Sequence, residues 1–347
     1  VDTANALMLK DAVKLIAQKL TSLEKVLMKK AHNFKKVIMI GRTHGQHALP
    51  TTLGFKFAVW MRENARNIQR LKQCSDRLLV GKMTGAVGTQ ASLGRHAWKI
   101  QKYVMKKLGI KHADISTQIV QRDRHAEFVC LLALIATTLD NIATEIRQLQ
   151  RPEIAELFEA FDREKRVGCS TMPQKRDPET CETICGLAKI MRGLVMPSLE
   201  NIKTWHERDL TQSSAERFLI PEACNIVDYM LFRMVNVLAN LKVDEEQMRR
   251  NLVITQGRMM SEAVMTALVK KGMNRQEAHE LIRKLSSKSE LEKCSFKDIL
   301  INDEKVRKLL IEKEIDEALD PKKYLGTAVE QVELMIKKTR QERQGYK

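Results

Sequence analysis

The longest unbroken pattern in the chain runs from Val120 to Gln150, a stretch with neither glycine nor proline. Within it Phe128, Leu131, Ile135, Leu139, Ile142, Ile146 and Leu149 recur every three or four residues, the spacing of one helix face. A helix of that length reaches about 46 Å at roughly 1.5 Å per residue. The same period marks Ala4 to Lys30 (Leu7, Val13, Ile16, Leu20, Leu23, Leu27), about Pro178 to Leu194, and the run after Pro221 through Ile226, Met230, Met234, Leu238 and Leu241. Helices this long bury their apolar stripes only against partners of similar length, which predicts an all-α fold built on a long central bundle over 1–248. A bundle wider than one chain provides makes oligomerisation an expectation. Past residue 248 the pattern shortens, with breaks at Lys271-Gly272-Met273-Asn274, Ser286-Ser287-Lys288-Ser289 and Asp320-Pro321, so a smaller C-terminal helical domain is expected over 249–347.

Composition agrees with this reading: 15 glycines, 7 prolines and 5% aromatics among 347 residues favour helix over strand. The 60 basic and 43 acidic side chains leave a formal charge of +17, which suits polyanionic metabolites as well as nucleic acid. In linear order the cations are scattered, in clusters no longer than Lys29-Lys30 or Lys35-Lys36, with no basic stripe interleaved with aromatics; no nucleic-acid partner is expected. The seven cysteines lie mostly inside helical patterns and complete no zinc spacing, which predicts reduced, buried thiols in a cytoplasmic protein and no metal site. The apolar run Phe128 to Leu139 is too short to span a bilayer and ends at Asp140, so no membrane association is expected.

Three segments concentrate groups suited to an anionic substrate. In Gly41-Arg42-Thr43-His44-Gly45-Gln46-His47-Ala48-Leu49-Pro50 the glycines and the proline predict a turn that presents His44, a side chain able to give a proton near neutral pH. Gly168-Cys169-Ser170-Thr171-Met172-Pro173-Gln174-Lys175-Arg176-Asp177-Pro178 is a glycine-led loop holding a proton acceptor and a lysine, just before a helical pattern. Trp205-His206-Glu207-Arg208-Asp209-Leu210-Thr211-Gln212-Ser213-Ser214-Ala215-Glu216-Arg217 pairs arginines with hydroxyls, the chemistry of phosphate and carboxylate binding.

The Gly168–Pro178 string resembles the signature loop of the superfamily that contains fumarase, aspartase, argininosuccinate lyase and adenylosuccinate lyase, enzymes that eliminate fumarate from succinyl-type substrates. The His44 string is similar to that superfamily's second motif, and the Trp205–Arg217 string to one found in its adenylosuccinate lyase branch. Ser116-Thr117-Gln118-Ile119-Val120-Gln121-Arg122-Asp123-Arg124-His125 resembles the same branch; as sequence it is a polar helix start with Ser116 or Thr117 as N-cap.

The resemblance implies β-elimination of fumarate from adenylosuccinate, and from the related succinyl-carboxamide ribotide, without metal or cofactor. It maps the general acid onto His44 and the base, a serine in the superfamily, onto Cys169. Substrate contacts map onto Thr43, Gln118, Lys175, Arg208, Ser213 and Arg217, and onto Asp177 where the superfamily has asparagine. The dipole of the helix beginning near Pro178 is expected to add positive potential at that loop. The resemblance also implies a homotetramer whose sites combine several subunits, and an N-terminal domain before Val1. Two alternatives stay open: another fumarate-releasing lyase such as argininosuccinate lyase, which Gln174 brings to mind, and a catalytically silent oligomeric scaffold.

Overall fold

The computed structural model describes residues 1–160, 171–172 and 174–344. Gly168, Cys169, Ser170 and Pro173 of the signature loop therefore lie outside the described residues. Helices α1 (Asp2–Asn33), α2 (Leu53–Leu78), α3 (Ala97–Leu108), α4 (Asp123–Gln150), α5 (Glu179–Gly193), α6 (Val195–Glu200) and α7 (Thr211–Asn240) precede seven more. These are α8 (Glu245–Val253), α9 (Ser261–Lys270), α10 (Arg275–Glu292), α11 (Phe296–Asn302), α12 (Glu304–Arg307), α13 (Glu312–Leu319) and α14 (Ala328–Gln344). Strands are few and short: β1 (Ile38–Thr43) pairs antiparallel with β2 (Gln46–Thr52), and β3 (Val80–Gly81) runs parallel to β4 (Lys111–His112).

The chain divides into two compact units. The first comprises Val1–Leu27, Trp60–Arg151 and Leu157–Lys242; the second comprises Met28–Val59, Pro152–Glu156 and Val243–Lys347. The sequence pattern suggests a single cut after residue 248. The contacts instead gather three separate stretches into the second unit, because β1 packs with α8, β2 with α14, and Lys35, just past α1, pairs with Glu333 of α14.

In the first unit α4 is the hub. Its seven periodic apolar residues are all buried, and Val129, Leu132, Ala136 and Ala143 widen the buried surface well beyond one stripe. α4 is long and apolar enough to cross a membrane by composition, but two thirds of the relevant window is buried inside the fold, which makes it a core helix. Helices α5 and α7 pack on it and on each other. Polar pins fix the other contacts: Asn64 donates to the Leu20 carbonyl at 2.9 Å, Asn67 donates to Thr138 at 3.1 Å, and Lys19 pairs with Asp228. On α1 the buried apolar residues up to Leu27 are Ala6, Leu9, Ile16, Leu20, Leu23 and Leu27, so Leu9 replaces Leu7 and Val13 is only half-buried.

Three local expectations need correction. α7 does not start after Pro221 but runs through it from Thr211. Its packed face carries the helix past the missing N–H, which would otherwise serve the Arg217 carbonyl four residues back. Ser116 and Thr117 do not cap a helix: they bind the Thr84 hydroxyl in a loop, at 2.9 Å to Ser116 Oγ and 3.0 Å to the Thr117 carbonyl, and α4 begins only at Asp123. The Ser286–Ser289 stretch is interior to α10, because Ser289 continues the buried face of Ala278, Ile282 and Leu285 and spends its hydroxyl on the Cys294 carbonyl.

The second unit has its own core, in which Val264, Leu268, Ile282, Phe296, Leu300, Val306 and Ile315 are buried together. Gly54, at the start of α2, lies against the end of α1. A Cβ there would stand 2.4 Å from the Lys35 backbone and 2.6 Å from the Ala31 carbonyl. No flexible side chain can yield, so Gly54→Ala is expected to cost at least about 2 kcal/mol, read as a lower urea midpoint. An unchanged midpoint would show that α1 and α2 separate freely.

Candidate active site

The turn that carries His44 is built by its backbone. Thr43 pairs with Gln46, leaving His44 (φ 53°) and Gly45 (φ 74°) as a two-residue loop with both φ values positive, the signature of a type I′ hairpin turn. Thr43 and His44 are exposed at its tip. A bulge between Ile40 and Arg42 brings the chains so close that a Cβ on Gly41 would meet the Leu49 carbonyl at 2.8 Å. Below the tip, Arg42 forks onto Glu156, with Nη1 to Oε2 at 2.9 Å and Nη2 to Oε1 at 2.8 Å. Glu156 is fully buried and also accepts from Asn251 at 2.7 Å; Asn251 in turn donates to the Ile154 carbonyl at 2.8 Å. A charge so deeply buried is held only by such complete pairing. His47 sits opposite Arg42, and burial, followed by the guanidinium charge, pushes its pKa below the ordinary histidine range against a smaller pull from Glu156. The two histidines of this motif thus differ in setting: one at an exposed tip, the other half-buried and biased to neutrality.

In the first unit, a cavity of about 660 Å³ opens between the start of α1 and the start of α7. Arg208, Ser213 and Arg217 line it, together with Arg122, Glu216 and Asn5. Arg208 donates to Gln118 Oε1 at 3.2 Å, so two of the sequence candidates meet directly. Asp209 shapes the turn ahead of α7 by accepting from the Trp205 and Thr211 backbones at 2.7 and 2.8 Å. Its carboxyl is held below the usual range by the Thr211 hydroxyl and these N–H groups.

Arg122 and Glu216 also belong to an ion network that sequence reasoning did not anticipate. Arg122 pairs with Asp2 at 3.1 Å and with Glu216 at 2.8 Å, and His125 Nδ1 lies 3.1 Å from the same Glu216 oxygen. Asp2 Oδ2 accepts from the Val120 N–H at 2.7 Å. Lys82 joins the group: burial lowers its pKa, Asp2 raises it, and Arg208 and Arg122 lower it further. The cations Lys82, Arg122, Arg208 and Arg217 outnumber Asp2 and Glu216, leaving a surplus of positive charge suited to an anionic ligand. The available signal was the clustering of Arg122 and His125 in one polar stretch, but their spacing names no partner.

The signature loop is described only in part. Lys175 Nζ stands 3.2 Å from Asp177 Oδ1 and both side chains are partly exposed, so the aspartate sits on the lysine charge where a neutral amide would not. The dipole expected from α5 is already engaged. Glu159, itself buried, accepts from the Cys181 N–H at 2.6 Å and the Thr180 N–H at 3.3 Å, occupying the donors that a substrate anion would need. Among the described residues no group of three or more histidine, cysteine, aspartate or glutamate side chains is arranged to hold a metal.

Burial alone would raise the Asp2 carboxyl, but the Arg122 hydrogen bond and charge and the Val120 N–H together bring it below its ordinary value. That depression stabilises the fold above the unfolded carboxyl pKa and is lost as pH falls through the folded value. Asp2→Asn is therefore expected to lower unfolding free energy at pH 7 by about 3 kcal/mol, with the gap closing below about pH 4. Denaturant melts across that range measure it; a pH-independent gap would mean that packing, not charge, holds the pair.

A family model described as lyase matches residues 1–193, and another described as adenylosuccinate lyase C-terminus matches 257–335. The adenylosuccinate lyase of Methanocaldococcus jannaschii is 46% identical over 337 residues, spanning 97% of this chain and 73% of the relative. That of Pyrococcus abyssi is 48% identical over 336 residues, spanning 97% and 74%. Among solved structures, a fumarate lyase from Mesorhizobium sp. BNC1 superposes with TM-score 0.88 at 32% identity, over 96% of this chain and 75% of that one. A 3-carboxy-cis,cis-muconate lactonizing enzyme from Pseudomonas putida gives 0.89 at 32%, over 98% and 75%. Similarity of this degree, sustained along nearly the entire sequence, makes the chain a member of the adenylosuccinate lyase family.

Proposed function

We propose that the chain is a carbon–nitrogen lyase that eliminates fumarate from adenylosuccinate to leave AMP, and cleaves the related succinyl-aminoimidazole-carboxamide ribotide in purine biosynthesis in the same way. The observation that carries this reading is the Arg208–Gln118 contact at the wall of a cation-rich cavity, in a chain 46–48% identical to enzymes named for the activity. Arg208, Ser213 and Arg217 supply guanidinium and hydroxyl donors for phosphate and carboxylate oxygens, and Gln118 orients Arg208.

The chemistry needs a base to take the Cβ proton, a positive charge to stabilise the resulting carbanion, and an acid to protonate the nitrogen as the C–N bond breaks. His44 serves as the acid, with Thr43 beside it as a substrate contact. Cys169 stands at the position of the base. A thiolate forms more readily than an alkoxide (a free thiol has a pKa of about 8.5), but it is correspondingly the weaker base toward a carbon acid. Lys175 is the stabilising cation, and its ion pair with Asp177 weakens the charge it offers. The reaction uses no metal or organic cofactor.

Assembly into a homotetramer with shared sites fits the surface of α5 and α7: Phe218 is 75% exposed, and Ile190 and Phe232 are also more than half exposed. Apolar side chains of this size at helix faces are covered in an oligomer. A cytoplasmic location is consistent with the free thiols of Cys74, Cys130, Cys181, Cys185, Cys224 and Cys294.

The decisive assay follows fumarate release from adenylosuccinate by absorbance. His44→Ala is expected to reduce turnover by about 10²–10⁴-fold with little change in binding. Cys169→Ser and Asp177→Asn are each expected to raise turnover, the first by restoring an oxygen base and the second by freeing Lys175. No turnover in the parent chain or in Cys169→Ser, together with retained tight nucleotide binding, would favour the silent-scaffold reading instead. Arg42→Lys, which loses the fork onto Glu156, is expected to lower kcat more than it raises KM, because it loosens the strand that carries His44. Equal activity would show that the hairpin holds its tip without that pair.

A further inference from the structure

Between Asp76 and Asp114 the chain contains no aspartate or glutamate, while Arg95, Lys99, Lys102, Lys106, Lys107 and Lys111 follow one another along α3 and into β4. In linear order this run passes for scattered charge. The fold gathers it. α3 buries Ala97, Gln101 and Met105, which turns Lys99, Lys102 and Lys106 outward at helical spacing, and all three are exposed. None of the three makes an ion pair among the described residues. Two aromatic side chains stand among them: Trp98 is 46% exposed and Tyr103 62%. The Trp98 ring is held edge-on by His112 (centroids 4.6 Å apart, planes at 77°), and Lys107 lies 5.6 Å from the centre of the Tyr103 ring.

Beside this face runs a groove of about 640 Å³, with Lys102 and Lys106 on one wall, Lys111 and His112 on another, and Met105 and Ile110 among its lining residues. Asp76 and Asp114 also line it, and Asp76 engages Lys111 at 3.0 Å, so the uncompensated charge lies on the α3 wall. Unpaired lysines alternating with exposed rings fit neither a small anion, which needs convergent donors, nor an apolar peptide. They suit a chain that alternates phosphates with flat bases. At roughly 1.5 Å per residue the 12 residues of α3 extend about 18 Å, the reach of a few nucleotides.

We propose that α3 and the groove beside it form a binding surface for single-stranded nucleic acid. Phosphates lie along Lys99, Lys102 and Lys106, and bases stack on Trp98 and Tyr103. Exposed rings read unpaired bases, so duplex is the poorer ligand. None of these residues belongs to the elimination machinery, and the surface stands independently of the reading of that reaction.

The test uses the purified protein in its native assembly with fluorescein-labelled 12-nucleotide oligo(U) and oligo(dU), followed by anisotropy at two salt concentrations. Saturable binding that weakens with salt is expected, with the tighter of the two oligomers identifying the sugar. Trp98→Ala and the double variant Lys102→Glu/Lys106→Glu should each weaken binding at least tenfold and leave the rate of fumarate release and the thermal melt unchanged. Tyr103→Ala gives a second aromatic probe should Trp98→Ala unfold. Three results would overturn the proposal: no saturable binding; inorganic polyphosphate or duplex competing as well as single strands; or both aromatic variants binding like the parent.

Discussion

Everything in the first unit follows from the need to cover α4. Its apolar surface extends around most of the helix, so it is stable only when enclosed by other long helices. α5 and α7 supply two of these covers, and the polar pins of Asn64, Asn67 and Thr138 tie α1, α2 and α4 at defined heights. That requirement carries the start of α7 to the start of α1, where a cavity remains between them, lined by apolar residues such as Met8, Leu9 and Ile220 as well as by the arginines. The candidate substrate contacts are thus placed at the end of a rigid scaffold by packing that none of them provides.

Charge is handled differently in the two units. In the second, Arg42 and Glu156 balance each other, and with Asn251 they form a closed set beneath the hairpin. Around the cavity of the first, cations outnumber carboxylates, and burial holds the Lys82 pKa low despite the nearby Asp2, with Arg208 and Arg122 adding to the effect. The two sets use the same residue types, and what separates them is how completely their partners balance.

The long helices were legible in the sequence because a 3.6-residue period sustained over α1, α4 and α5 has few competing explanations. Boundaries were less so: Pro221 reads as a start, yet tertiary packing carries α7 across it from Thr211. The turn at His44 was legible from its flanking glycines, whereas the strands on either side were masked by their shortness. Asp2, Lys82, Glu156 and Asn251 were invisible, because each acquires meaning only from a partner more than 75 positions away, and single-residue chemistry does not reveal such pairings. The α3 face was missed for a related reason: its cations cluster on a surface, not in a word.

The hairpin that ends in His44 has one more implication, concerning what changes it can survive. Successive strand residues point to opposite sides, and a two-residue reversal leaves no slack to absorb an extra one. An insertion or deletion of a single amino acid between Arg42 and His47 would rotate the imidazole away or break the fork onto Glu156. The length of this short segment is therefore under tighter constraint than the chemical identity of most of its members.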